Sequence, residues 1–239
     1  IYAYDKAYWS NNGRSERQFQ FCLDSLGELD EKLNKLNRDL FIFEGDLGEL
    51  ALWIDKSFPQ SKIFLNQSTD IHYHRNLKAK FISKFEDSGR LYEFEDFGIQ
   101  TKNHNRDDWS SNWHRIMNQK ILPPPQINQS SKIKPKDLLD FREFKKRLSL
   151  IDSKKNSFQL GGEDKAKKLL SSFLEKRMDG YSIKMSSPVE AEHSCSRLSP
   201  HISFGTISLR TIFQEVQKNM DSSIFKKDLY SFKKRLHWH

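Results

Sequence analysis

The chain has 239 residues, enough for one large or two small domains. It is 36% hydrophobic and 30% charged with 18 Phe and five Trp, which makes it polar for a globular chain but excludes a disordered one. Cys22 and Cys195 form no spacing pattern, and neither a signal peptide nor an apolar run of bilayer length occurs. A reducing, cytoplasmic setting and no membrane partner are therefore expected; the chain is also expected to be a monomer.

Tyr2 to Tyr8 reads as a strand end and loop. Ser15 can cap a helix whose apolar face is Phe19, Cys22, Leu23 and Leu26, continued past Gly27 by Leu29, Leu33 and Leu36. Leu40 to Gly45 is a short buried-type strand. Asp46 then caps a helix carrying Leu50, Ala51, Trp53 and Ile54. Lys62 to Asn66 is a second strand. Asp70 leads a helix with Tyr73, Leu77, Phe81 and Phe85, ended by Gly89, and Leu91 to Phe97 is a third strand. Alternating strands and helices predict parallel pairing with right-handed crossovers in an α/β layer. No G-x-G-x-x-G or phosphate-loop motif accompanies them.

Composition shifts after Gly98. Trp109 and Trp113 stand four apart on an expected helical turn and read as core anchors. Ile121 to Pro135 reads as a linker, because its proline run favours extended geometry and its Gln/Asn/Ser stretch buries little. Lys136 to Leu148 reads as an amphipathic helix with a basic face.

From Asp164 onward the periodicity is helical. Ala166, Leu169, Leu170, Phe173 and Leu174 form one stripe; Leu209, Ile212, Phe213, Val216 and Met220 form another. Phe225, Leu229, Phe232 and Leu236 form a third, after an Asp221/Ser222 cap. Residues 131–239 carry 23 Lys/Arg against 13 Asp/Glu, whereas 1–130 carry 17 against 19. A basic second half suits DNA or RNA, and it equally suits lysine-rich solvated helix faces.

Tyr181 to Arg210 organises this half. It holds nine Ser or Thr hydroxyls, and at its centre Ser199 precedes Pro200 as an expected N-cap with proline in the first turn. Gly205 closes that short helix, and Ser208 opens the next. A Ser/Arg turn feeding a helix start presents N–H groups, hydroxyls and the Arg197 guanidinium, which suits a diphosphate. Serines that only cap helices give the same pattern.

Ser196 to Arg210, SRLSPHISFGTISLR, resembles the flavin-binding segment of the DNA photolyase and cryptochrome family, S-x-LSP-x-(L/I)-x-FG-x-(I/L)-S-x-R. Gly161, Gly162, Glu163, Ala166, Leu170, Phe173, Leu174, Arg177, Tyr181 and Pro188 match the family's upstream spacing. The closing FKKRLHWH resembles its W-x-x-(E/Q)-L-x-WR helix, and Arg14 to Gly45 and the segment from His72 match its first domain loosely.

The resemblance implies a Rossmann-like parallel sheet over 1–115 with its first strand missing, a linker over 116–158, and a truncated all-α FAD-binding domain over 159–239. It implies FAD contacts at Tyr181, Cys195, Ser196, Arg197, Leu198, Ser199 and Phe232, and DNA contacts at Arg235 and Trp238. An antenna chromophore of folate or deazaflavin type belongs to the first domain. The implied activity is that of a light-driven lyase: excited reduced FAD passes an electron to a pyrimidine dimer flipped out of damaged DNA, the dimer splits, and the electron returns.

The departures are specific. Cys195 stands where Thr or Ser is usual, a weaker hydrogen-bonding group. Arg235 stands where dimer photolyases carry a Glu that hydrogen-bonds the damaged bases, and a cation cannot accept those bonds. Met185 replaces an Arg common near DNA phosphates. Arg235 and Met185 favour a blue-light photoreceptor, or an FAD-binding protein without repair activity; a flavin-free nucleic-acid-binding module is the third reading. The family's opening strand and the helices after His239 are missing, so the resemblance casts the chain as an internal fragment that holds FAD poorly. Stoichiometric flavin retained on purification would refute that expectation. His72-x-His74 and His237-x-His239 are each histidine pairs without supporting ligands, so no metal site is expected. Cys195 beside His193 and His201 lacks an orienting third group for a nucleophile.

Overall fold

The structure is a computed structural model that describes residues 1–11, 13–67, 72–94, 105–126, 135–149, 158–220 and 223–238. It divides into two units, Ile1–Asp96 with Gln126–Gln159, and Phe97–Pro125 with Leu160–His239. The division differs from the expected 1–115, 116–158 and 159–239. The helix Trp109–Met117 groups with the second unit, and the residues after the proline run return to the first.

In the first unit both local caps form as their sequences dictate. Ser15 and Asp46 each accept from the amide three residues on, at 3.3 and 2.9 Å, and Gln18 and Glu49 return the bond. The helices they start run Glu16–Lys35 and Leu47–Ser57. The first continues through Gly27, where an added Cβ would stand 3.4 Å from the Phe141 ring; close approach of the two helices explains that glycine.

Strand Tyr2–Tyr4 pairs in parallel with Phe41–Glu44, and Ile63–Asn66 pairs in parallel with Leu91–Phe94. The first pair is covered on both faces, whereas the second leaves Phe64, Tyr92 and Phe94 exposed on its outer face. Ala3 and Phe43 join a core of Leu50, Ala51, Ile54, Phe81 and Phe85, while the Tyr4 ring lies 4.9 Å from Phe144. The Tyr2 hydroxyl meets the Cys22 thiol at 3.4 Å. Helices on both faces of the first parallel pair, and on one face of the second, make this an α/β layer.

One continuous parallel sheet is not formed. The two pairs belong to separate sheets, and the first is extended by Leu139–Asp140 running antiparallel to Phe41–Ile42. The expected Lys136 to Leu148 helix therefore starts late, as Phe141–Ser149. Tyr2 to Tyr8 likewise holds a full strand and then a helix, Lys6–Asn11. A cleft of about 470 Å³ is bordered by Ile1 and by Ile63–Asn66. Among the described residues no strand bonds to the second edge of Tyr2–Tyr4 or of Ile63–Asn66, so the two sheets share a core but no strand hydrogen bonds. The expected Asp70 cap, the Asp221/Ser222 cap and the last residues of Leu91 to Phe97 lie outside the described residues.

All regular structure among the described residues of the second unit is helical. Glu163–Ser172 runs into a π-helical turn, Phe173–Arg177, and the long helices are Leu209–Met220 and Lys226–Arg235. The predicted stripes meet in one core of Ala166, Leu170, Phe173, Ile212, Phe213, Val216, Leu229 and Phe232, with Trp113 and Met117 from Trp109–Met117. Trp113 is the core anchor expected of it, 1% exposed. No helix among the described residues is long and apolar enough to cross a membrane.

Candidate functional site

The turn at residues 195–199 is held from beneath by Arg177. Its guanidinium donates to the carbonyls of Cys195 and Ser196, and also to the Leu169 carbonyl at 2.7 Å and the Ser172 hydroxyl at 3.1 Å. The π-helical turn that ends on Arg177 adds one residue to the ring of each hydrogen bond, and such turns gather at functional positions. Leu198, 1% exposed, anchors the turn in the core. Arg197 sits in left-handed backbone geometry, φ 60°, where an arginine is uncommon. With two carbonyls drawn inward, the turn offers the exposed Arg197 and Ser199 side chains to solvent.

Ser199 does not cap its helix. Leu198 occupies the N-cap position, with no side-chain bond, and Ser199 is the first residue of Ser199–Ser203. Ser196 takes over locally, accepting from the Leu198 amide at 3.4 Å. Gly205, φ 68°, does close the helix, and the Thr206 amide returns to the His201 carbonyl at 2.9 Å. Ser208 opens Leu209–Met220 by accepting from the Thr211 amide at 3.0 Å.

Tyr181, Phe173 and Phe232 form an edge-to-face ring triad, with centroids 4.6–5.6 Å apart. Tyr181 and Phe232 are 6% and 4% exposed, so both rings are core groups here. Burial raises the Tyr181 hydroxyl pKa; Cys195 raises it further and Arg235 pulls it down. Burial also raises the Cys195 thiol, while Arg177 and Arg235 pull it down. Arg177 is itself lowered by burial and by the Arg197 cation. Tyr181, Cys195, Arg177, Arg197 and Arg235 thus share one electropositive neighbourhood. Cys22 is a different case, since burial lifts its thiol to about 11 against the pull of Tyr2 and keeps it protonated.

Arg235 ends Lys226–Arg235 beside Lys233 and Lys234, and Trp238 projects from the next turn, 86% exposed. Among the described residues the Trp238 ring shares no contact with the Tyr181 triad. Met185 packs against the core.

Asp228 was missed by sequence reasoning. Its carboxylate accepts from the amides of Ser182 at 2.7 Å and Gly180 at 3.2 Å, locking the Tyr181 turn to the Phe232 helix. Nothing local signals it, because its partners lie 46 and 48 residues away.

No protein-family model matches the chain, and no curated protein matches it in sequence. Solved structures match it in fold. A bacterial class III photolyase from Agrobacterium tumefaciens superposes with a TM-score of 0.72 at 18% identity, covering 99% of this chain and 50% of that one. A Synechocystis cryptochrome gives 0.67 at 16%, covering 99% and 53%. An archaeal photolyase from Sulfolobus tokodaii, solved with two FAD molecules, gives 0.63 at 22%, covering 95% and 50%. The chain therefore has a photolyase/cryptochrome-type fold and spans about half the length of these structures.

Proposed function

We propose that this chain is part of a flavoprotein of photolyase or cryptochrome type, in which the turn at residues 195–199 grips the diphosphate of FAD. The supporting observation is the Arg177 clamp. It holds the carbonyls of Cys195 and Ser196, and the same turn carries the exposed guanidinium of Arg197 and hydroxyl of Ser199, groups that can donate to phosphate oxygens. The donor set fits an anion: one exposed guanidinium, hydroxyls, and the further positive charges of Arg177 and Arg235 close by.

When bound, FAD supplies light-driven one-electron chemistry. The chain's own residues bind and orient it. Arg197 and Ser199 take the diphosphate, while Tyr181, Cys195 and Phe232 lie on the side of the turn towards the core. Arg235 keeps the neighbouring tyrosine and thiol in a positive field. DNA is the proposed partner of the Lys233, Lys234, Arg235 and Trp238 surface, through phosphate contacts and base stacking. A second, antenna chromophore belongs with the first unit in this reading.

One observation favours a photoreceptor over a repair lyase. Arg235 stands exposed at the end of its helix and can only donate, so it cannot accept hydrogen bonds from a damaged base. The test is titration of the 239-residue chain with FAD, followed by flavin fluorescence polarisation. Saturable one-to-one binding is expected, weak enough to be lost on gel filtration. Absence of saturable binding contradicts the proposal.

A further inference from the structure

His237, one half of a histidine pair in the sequence, faces a partner 123 residues away: its Nε2 lies 3.4 Å from the Nε2 of His114. The two imidazoles come from different elements, the Trp109–Met117 helix and the Leu236–Trp238 turn. We propose that His114 and His237 form a two-imidazole site for a late first-row divalent ion such as Zn2+, which clips these two elements together.

Three observations carry this. The first is spacing. Two nitrogens bound to one tetrahedral zinc at about 2.0–2.1 Å lie about 3.3–3.4 Å apart, which is the separation found. The second is tautomer. His237 Nδ1 lies 3.3 Å from the Lys233 carbonyl, which can only accept. Nδ1 therefore carries the proton and the Nε2 lone pair faces His114, the arrangement that carbonyl partners impose on metal-binding histidines.

The third is rigidity. The His237 ring stacks on Trp113 at 3.9 Å and 26°, with Trp109 at 5.8 Å. The His114 ring sits edge-on to Trp113 at 5.2 Å, and 5.8 Å from Phe213. Both rings are half-buried, so water can complete the coordination. Imidazole ligands suit zinc, copper and nickel.

The opposing charge is Lys233, whose ammonium sits 4.9 Å over the Phe213 ring. No set of three His, Cys, Asp or Glu among the described residues could hold a metal ion. Affinity is therefore below that of a closed four-ligand site.

The test uses the whole chain stripped with chelator and then given ZnCl2, with heat of binding and Tm measured at pH 7.5. One-to-one binding is expected, with Tm raised by about 5 °C or more at a hundredfold excess over the dissociation constant. His114→Gln and His237→Gln should each abolish the shift, and a His72→Gln/His74→Gln variant should keep it. No binding, or a shift kept in both the His114 and His237 variants, overturns the proposal. Should either variant fail to fold, Cu2+ bound to the wild-type chain decides by electron paramagnetic resonance. Two imidazole nitrogens support the site, and any other count overturns it.

Discussion

The guanidinium of Arg177 and the backbone carbonyl of Cys195 are hydrogen-bonded, which ties the end of a π-helical turn to the start of the exposed Ser/Arg turn. Arg177→Ala removes the donor to the Cys195 and Ser196 carbonyls, while Leu169 keeps its bonds from Ser172 and Phe173, and should cost about 2–4 kcal/mol, seen as a lower denaturant midpoint. Arg177→Lys keeps the charge without the fork and should recover less than half of that loss. An alanine variant with an unchanged midpoint contradicts the clamp.

Asp228 should behave as a tie between two helices. Burial pushes its carboxyl upward, but the amides of Ser182 and Gly180 outweigh this and hold it below the ordinary carboxylate range. A depressed folded-state pKa gives stability that is present above about pH 4 and lost as pH falls through the folded value. Asp228→Ala should cost about 1.5–3 kcal/mol at pH 7. It should also flatten the acid limb of stability against pH, measured by urea midpoints between pH 2 and 7.

His114 gives the opposite end of the same measurement. Burial first, then His237 and Lys233, lower its pKa, so the folded chain holds it neutral. Folding therefore releases a proton from it. Its contribution is fully present above about pH 6.5 and falls away as pH drops below that value. His114→Gln in metal-free buffer should reduce the slope of stability between pH 5 and 6.5 and leave it unchanged above pH 7.5. An unaltered slope in the variant contradicts the assignment.

What could be read from the sequence was local. Ser15 with Gln18, and Asp46 with Glu49, are reciprocal caps within four residues, so composition alone places both helix starts. The stripe of Leu209, Ile212, Phe213 and Val216 needs only helical period, and it is buried as that period requires. The split of the sheet could not be read, because it depends on which edges meet across a cleft. Leu139–Asp140 was hidden for the same reason, as two residues in a basic helical pattern carry no strand signal. The Ser199 cap was misplaced by one position: Leu198 is drawn into the core and takes the N-cap geometry, so the serine becomes the first helical residue. The motif sets Arg197 and Ser199 two residues apart, and both side chains are exposed on one turn. The pairings Arg177–Cys195, Asp228–Ser182 and His114–His237 join residues 18 to 123 apart and had no local mark.

Arg197 carries the central claim. Its left-handed backbone tolerates asparagine at least as well as arginine, so Arg197→Asn removes the guanidinium without straining the turn. The decisive measurement is FAD titration of the wild-type and Arg197→Asn chains, with melting temperature recorded alongside. The account predicts that binding weakens about 10-fold or more, with the melting temperature showing that the variant is still folded. Equal FAD affinity in the two chains would contradict it.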